Sequence, residues 1–323
     1  MVFNIVGRRY LFFAISLIVI LPGLVFLGVH WAQNPGQGPL PLAIDFTGGS
    51  VLEVTFVDPH VLQPAEVKEY LVAQAGLPDG TVVQTVGDRG LLIRTATLSE
   101  KQPVIDALTS RYGAIDLSSV NFDTVGAAVG AEVTQAAGIA IAAAAIGILL
   151  YIALAFRRMP HPFRYGACAV IAMLHDVLVV VGLAAIVGVL LGWQVDSLFL
   201  TALLTVIGFS VHDTIVVFDR IRENLARHRG EPFEAIVNHS IVQTLDRSIN
   251  TQLTVMFTLL ALVLFGGESI RHFVVTLLIG VFSGTYSSIF NAAALLVVWE
   301  NGEFRKFFRH LFSLGRTLEA PAD

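Results

Sequence analysis

The sequence predicts a bundle of six membrane-spanning helices and one small α+β domain placed across the membrane from both chain ends. Three observations predict it. Charge is scarce: 14% of the 323 residues are charged and 55% are hydrophobic, with a mean hydropathy of +0.73, whereas a soluble domain carries about 25% charge. Six apolar runs approach or exceed the ~20 residues that cross a bilayer. One stretch, about 42–125, is polar and carries strand and helix signals in alternation. The net charge of −5 says little, because the charges are unevenly placed. The single cysteine, Cys168, sits in an apolar run, so neither an intrachain disulfide nor a cysteine-based metal site is available.

The predicted spans are Tyr10–Val29, Val133–Phe156, Tyr165–Leu191, Ser197–Phe218, Asn250–Gly266 and Phe273–Val298. The first leads into a polar domain as a signal peptide would, but no small-residue cleavage site follows it, so a retained helix is expected. Orientation follows from the basic residues. Arg8 and Arg9 precede the first span, Arg157, Arg158 and Arg164 follow the second, and Arg220, Arg222, Arg227 and Arg229 follow the fourth. Arg305, Lys306, Arg309 and Arg316 follow the last. All fall on one side if six spans are present, which places both termini in the cytoplasm. The expected organisation is 1–30 for the N-terminus and first span, 31–131 for the outer domain, 132–299 for the remaining spans and 300–323 for a cytoplasmic tail. The connector at 220–246 is expected as two amphipathic helices broken near Gly230-Glu231-Pro232. Its Phe233, Ile236, Val237, Ile241 and Leu245 would lie on the membrane surface.

Within the polar stretch Val51–Val57 alternates as a strand. Pro64 suits the first turn of a helix closed by Gly76. Thr81–Val86 and Leu91–Thr95 flank the hairpin turn Gly87-Asp88-Arg89-Gly90. Ser99 is placed to cap a helix reaching Tyr112, and Ile115–Phe122 reads as a last strand. This β-α-β-β-α-β order is that of a ferredoxin-like split unit. Gly48-Gly49 is not a phosphate loop, because a strand follows it where a helix N-terminus is required; it is expected to be a tight turn.

Ionisable groups inside an apolar span cost about 2.5 kcal/mol or more and mark functional candidates. Asp176 lies in the third span beside His175, and Asp213 deep in the fourth beside His212. To reach spanning length the fifth helix must start near Arg247. Arg247, Asn250, Thr251, Thr254 and Thr258 then share one helical face, and Ser197, Thr201, Thr205, Gly208 and His212 form a similar stripe. Both stripes are expected to face the bundle interior, with Asp176, Asp213 and Arg247 in one cluster. An arginine beside an aspartate favours the ionised acid and desolvation the neutral one, so moving the arginine would switch proton affinity. Bland alternatives stay open on spacing alone. Arg247 as a snorkelling anchor, Asp213 as an ion-pair partner, Asp176 as a packing group and the histidines as core residues all fit. Gly280 and Gly284 form a small-xxx-small pair suited to close helix packing.

Longer motifs carry a resemblance. Ile44-Asp45-Phe46-Thr47-Gly48-Gly49-Ser50, Val125–Glu132, Leu204–Asn224, Thr244–Thr251, Phe265–Arg271 and Gly284–Phe290 resemble the SecF branch of the SecD/SecF family, in the resistance–nodulation–division superfamily. Ala127 replaces the usual proline, His212 the usual asparagine and Asp246 the usual serine. The resemblance implies a non-enzymatic subunit of the bacterial inner membrane that assists protein export, driven by the proton motive force. It implies SecD as partner, which supplies another intramembrane aspartate. It also brings in the SecYEG translocon, YajC and YidC, an unfolded exported polypeptide, protons and membrane lipid, and no cofactor, metal ion or nucleic acid. Asp213 and Arg247 match the family's proton-coupling residues; Asp176, His212, Asn250 and Thr254 are auxiliary candidates. A small-molecule or lipid exporter of the same superfamily is the rival reading. Such chains usually have two six-helix halves and two large outer domains. An intramembrane protease is disfavoured: no His-Glu-x-x-His is present, and Gly280–Gly284 is one residue too long for Gly-x-Ser-Gly.

Overall fold

The computed structural model describes residues 4–33, 38–58 and 62–303, apart from the side chains of residues 268 and 269. The basic residues expected in the C-terminal tail lie outside these. The chain divides into two compact units. One comprises 42–139 and 194–197; the other holds the rest of the helices.

The smaller unit begins with a one-turn helix α2 (Ile44–Thr47), which follows the first spanning helix α1 (Arg9–Gln33) in the chain. Strand β1 (Gly49–Thr55) comes next, then α3 (Pro64–Ala75), β2 (Val82–Val86), β3 (Gly90–Thr95), α4 (Gln102–Tyr112) and β4 (Asn121–Val125). The sheet order is β2-β3-β1-β4, all neighbours antiparallel, so β3 lies between the two strands that α3 joins. Leu52 faces Ile93 on one side and Phe122 on the other. Alternation sends Leu52, Val54, Leu91 and Ile93 to one face, where Val67 and Leu71 of α3 and Val104 and Leu108 of α4 bury them.

Pro64 occupies the first turn of α3, and Gly76 ends it in the left-handed conformation. Two expectations are corrected. Helix α4 starts at Gln102, three residues after Ser99, where Pro103 fits its first turn. The last strand starts at Asn121, not Ile115. The Asp116 carboxylate accepts from the Ser118 backbone N–H and hydroxyl and winds 117–119 into a turn. Ile115 keeps only a single bridge to Phe56.

Gly48 and Gly49 take φ of 71° and 117°. A Cβ on Gly48 would stand 2.6 Å from the Ala127 Cα, and one on Gly49 2.6 Å from the Thr95 carbonyl oxygen. The pair therefore serves a close backbone crossing, not an anion. Asp45 accepts from the Ser197 N–H at 2.8 Å, placing an acid at the start of the helix that begins there.

The larger unit is built from α1 and five further long helices: α5 (Ala127–Ala155) from residue 140 onward, α6 (Pro162–Leu191), α7 (Ser197–Arg227) from residue 198 onward, α8 (Phe233–Phe265) and the run from Glu268 to Glu300. Together they give six helices long and apolar enough to cross a membrane. The last run is α9 (Glu268–Tyr286), a π-helical turn at Ser287–Ala292, and α10 (Ala293–Glu300). Small residues set the helix contacts. Gly23 of α1 meets Gly182 of α6 backbone to backbone, and Gly280 and Gly284 of α9 receive Val206 and Ser210 of α7.

The connector differs from expectation. It holds no separate surface helices. Helix α7 runs unbroken to Arg227 and α8 unbroken from Phe233, with the reversal at 228–232. Val237 and Ile241 lie in the same core as Val217, Phe218 and Ile221, and Ile236 is equally buried. Their spacing continues the seam between α7 and α8, which offers protein contact in place of the membrane surface.

A polar clasp joins three elements at one end of this bundle. The Asn238 side-chain oxygen accepts from the N–H groups of Ile5 and Val6 at 2.8 and 3.1 Å. The Arg9 guanidinium reaches Glu234 of α8 at 3.0 Å and Glu303, beyond α10, at 2.7 Å. Tyr10 donates to Glu303 at 2.6 Å.

Candidate functional site

Asp213 sits where α7 meets α8. It is almost fully buried, and its Oδ2 accepts from the Gln252 amide nitrogen of α8 at 2.7 Å. The Gln252 amide oxygen is buried without a hydrogen-bond partner. His212, the next residue, points outward with 67% of its side chain exposed. Its Nδ1 lies 3.9 Å from Asp213 Oδ1, beyond hydrogen-bond reach. Arg247 lies on α8 five residues before Gln252 and forms no ion pair with Asp213 among the described residues. It borders instead a cavity of about 290 Å³ between α7 and α8, shared with Asp219, Arg220, Glu223, Gln243 and Thr244.

Asp176 occupies a separate site. Its carboxylate is fully buried and accepts from three hydroxyls: Ser210 of α7 at 2.5 Å, Ser283 of α9 at 2.7 Å and Ser287 of the π turn at 2.6 Å. His175 Nδ1 is a fourth neighbour at 3.0 Å. Hydrogen bonding continues from there, since the Ser288 and Thr214 hydroxyls both donate to the Ser210 carbonyl. The expected single cluster of Asp176, Asp213 and Arg247 is thus resolved into two. The reason is helical phase: Ser210 of α7 faces α6 and α9, whereas Asp213, three residues on, faces α8.

The polar stripes are also corrected. Arg247, Asn250, Thr251, Thr254 and Thr258 are exposed on the outside of this bundle, as are Thr201, Thr205, Gly208 and His212. Exposure is compatible with an apolar setting because the threonines bond their own helix. Thr251, Thr254 and Thr258 donate to the carbonyls of Arg247, Asn250 and Thr254 at 2.8, 2.9 and 3.1 Å, and Thr205 donates to that of Thr201 at 2.7 Å.

The residue that sequence reasoning missed is Gln252. Its signal was a second polar row on α8, Ser240, Thr244, Ser248 and Gln252 at four-residue spacing, all buried. That row meets α7: Asn224 of α7 donates to Ser240 at 2.9 Å, and Gln252 donates to Asp213 at 2.7 Å.

Six spanning helices among the described residues, a small antiparallel sheet and two buried carboxylates within the helical unit define the class: a multi-pass membrane protein. Residues 104–302 match the family model for the protein export membrane protein SecD/SecF, C-terminal, and residues 36–59 match the SecD/SecF GG motif. The chain belongs to the SecD/SecF family. It is 52% identical over 309 residues to a protein named protein translocase subunit SecF from Anaerolinea thermophila, covering 95% of this chain and 97% of that one. It is 51% identical over 317 residues to the protein of the same name from Thermobaculum terrenum, covering 95% and 96%. Among solved structures it resembles SecDF from Thermus thermophilus, described as a translocon-associated membrane protein, with a TM-score of 0.76 and 32% identity. That match covers 93% of this chain and spans 39% of the solved one.

Proposed function

We propose that the chain is the SecF subunit of a protein translocase, that it works with SecD, and that the proton motive force drives it through Asp213 and Arg247. The observation that carries the coupling reading is Asp213 itself. It is a carboxylate buried between two spanning helices with one amide donor, beside an arginine that borders a polar cavity and is not locked into an ion pair with it. A charge crossing 100 mV supplies about 2.3 kcal/mol, comparable to the few kcal/mol that separate typical conformers. Proton uptake by Asp213 would remove the charge that Arg247 answers and so favour a second arrangement of α7 and α8. Motion passed to the outer unit would hinder an unfolded polypeptide from sliding back.

The remaining assignments belong to the same reading. The exposed Thr201–His212 and Arg247–Thr258 stripes are the face offered to SecD. The smaller unit is ferredoxin-like, which its strand order supports, and lies outside the inner membrane. Residues 1–30, 132–299 and 300–323 are the membrane and cytoplasmic parts, with both termini inside. SecYEG, YajC and YidC are the further partners.

The decisive measurement is proton flux by the purified pair with SecD in liposomes. Asp213→Asn is expected to abolish flux and export support while the pair stays assembled. Flux at the wild-type rate in Asp213→Asn would sink the mechanism.

A further inference from the structure

The structure assigns Gln252 as the residue that positions the proton on Asp213, through an amide that matches the neutral acid better than the ionised one; this rests on the reading of Asp213 as a proton carrier. Two observations point to it. The Gln252 Nε2 already donates to Asp213 Oδ2 at 2.7 Å, and the Oε1 of the same amide is buried with no partner.

An ionised carboxylate has acceptors only, so it engages the N–H of the amide and leaves the C=O unanswered. A protonated carboxyl has one acceptor and one O–H donor. Set against a primary amide it closes a two-bond ring: Gln252 Nε2 donates to the acid carbonyl, and the acid O–H donates to Gln252 Oε1. The proton that arrives therefore has a waiting acceptor on the same side chain that already holds the carboxylate. Leaving that acceptor unmet counts against the ionised state alone.

The other groups around Asp213 do not offer this. His212 of α7 points outward, at 3.9 Å. Arg247 of α8 is a donor only and acts through its charge. Asp176 of α6 is occupied by the hydroxyls of Ser210, Ser283 and Ser287. Asp213 is thus poised between two interactions on α8: Arg247, which favours its charge, and Gln252, which completes its neutral form.

The test is infrared difference spectroscopy of the purified pair with SecD in membranes, titrated with pH. The carboxyl band absent from Asp213→Asn reports protonated Asp213. With its O–H and C=O both bonded, the band is expected at the low-frequency end of the carboxylic range. Gln252→Met, of similar length and without the amide, should move it to higher frequency. Gln252→Asn, which withdraws the amide by one methylene, should move it the same way and guards against a variant that fails to fold. A band that stays in place in both variants overturns the role of Gln252 and leaves the proton-carrier reading standing. A wild-type pair with no pH-dependent Asp213 band overturns both.

Discussion

Two buried aspartates in this chain have opposite hydrogen-bond economies. Asp176 is surrounded by three hydroxyls and a histidine, which engage both of its oxygens. Asp213 holds one amide and has an oxygen to spare. Asp176→Ala should therefore destabilise the membrane unit by about 1–3 kcal/mol, because it leaves buried hydroxyls without their acceptor, read as a lowered unfolding temperature in detergent. Asp176→Asn, which still accepts through its side-chain oxygen, should lose less and retain proton flux. Arg247→Lys keeps the charge without the planar fork and should lower flux partially. The aspartates and Arg247 were legible in the sequence because a charge in an apolar run stands out. Gln252 was not. A neutral amide among threonines carries no such contrast, and its meaning depends on which side of α8 faces α7.

At the scale of elements, close helix approach rests on a few glycines. A Cβ on Gly182 would stand 2.9 Å from the Gly23 Cα, whereas Gly147 of α5 has open space. Gly182→Val should force α1 away and cost about 1–3 kcal/mol, while Gly147→Ala should be neutral or mildly stabilising; thermal unfolding of the two variants in one detergent separates them. The clasp gives a pH signature. Burial pushes Glu303 up, but bonds from Tyr10, Arg9 and Asn301, together with the Arg9 charge, outweigh it and hold Glu303 below the ordinary glutamate range. A depressed acid stabilises the fold above its unfolded pKa, and that contribution is lost as pH falls through the folded one. Acid unfolding below about pH 4.5 should then be blunted in Glu303→Gln relative to wild type. Helix cores were readable from apolar runs. The continuation of α7 and α8 into 220–246 was not, because the residues there are mixed in polarity and read equally well as separate surface helices.

For the whole molecule, the order of strands and helices was written in turn residues and periodicity, and the hairpin at 87–90 and the break at 228–232 fall where glycine and proline predicted. The outward direction of the polar stripes was not readable, because a stripe reports that a face is special and not which neighbour it meets. Cysteines at exposed Asp79 and Arg229 test the proposed topology, the native Cys168 being buried. An impermeant reagent outside the cell should label Asp79→Cys and spare Arg229→Cys. Disulfide or photo-cross-links from Thr254 should reach SecD; capture of lipid alone would remove the stripe from the interface.

The clasp also bears on how the chain is made. Arg9 leaves the ribosome well ahead of its partners Glu234 and Glu303, which are more than two hundred residues behind it. At about 5–20 residues per second, the opening helix waits on the order of fifteen seconds or more for the carboxylate that completes its grip. Early in that interval α1 has α6 to rest on, through Gly23 and Gly182; Glu234 and Asn238 of α8 follow before residue 303 is made. A chain stopped short of residue 303 leaves Arg9 with Glu234 alone, so the finished grip is a record that synthesis has passed residue 303.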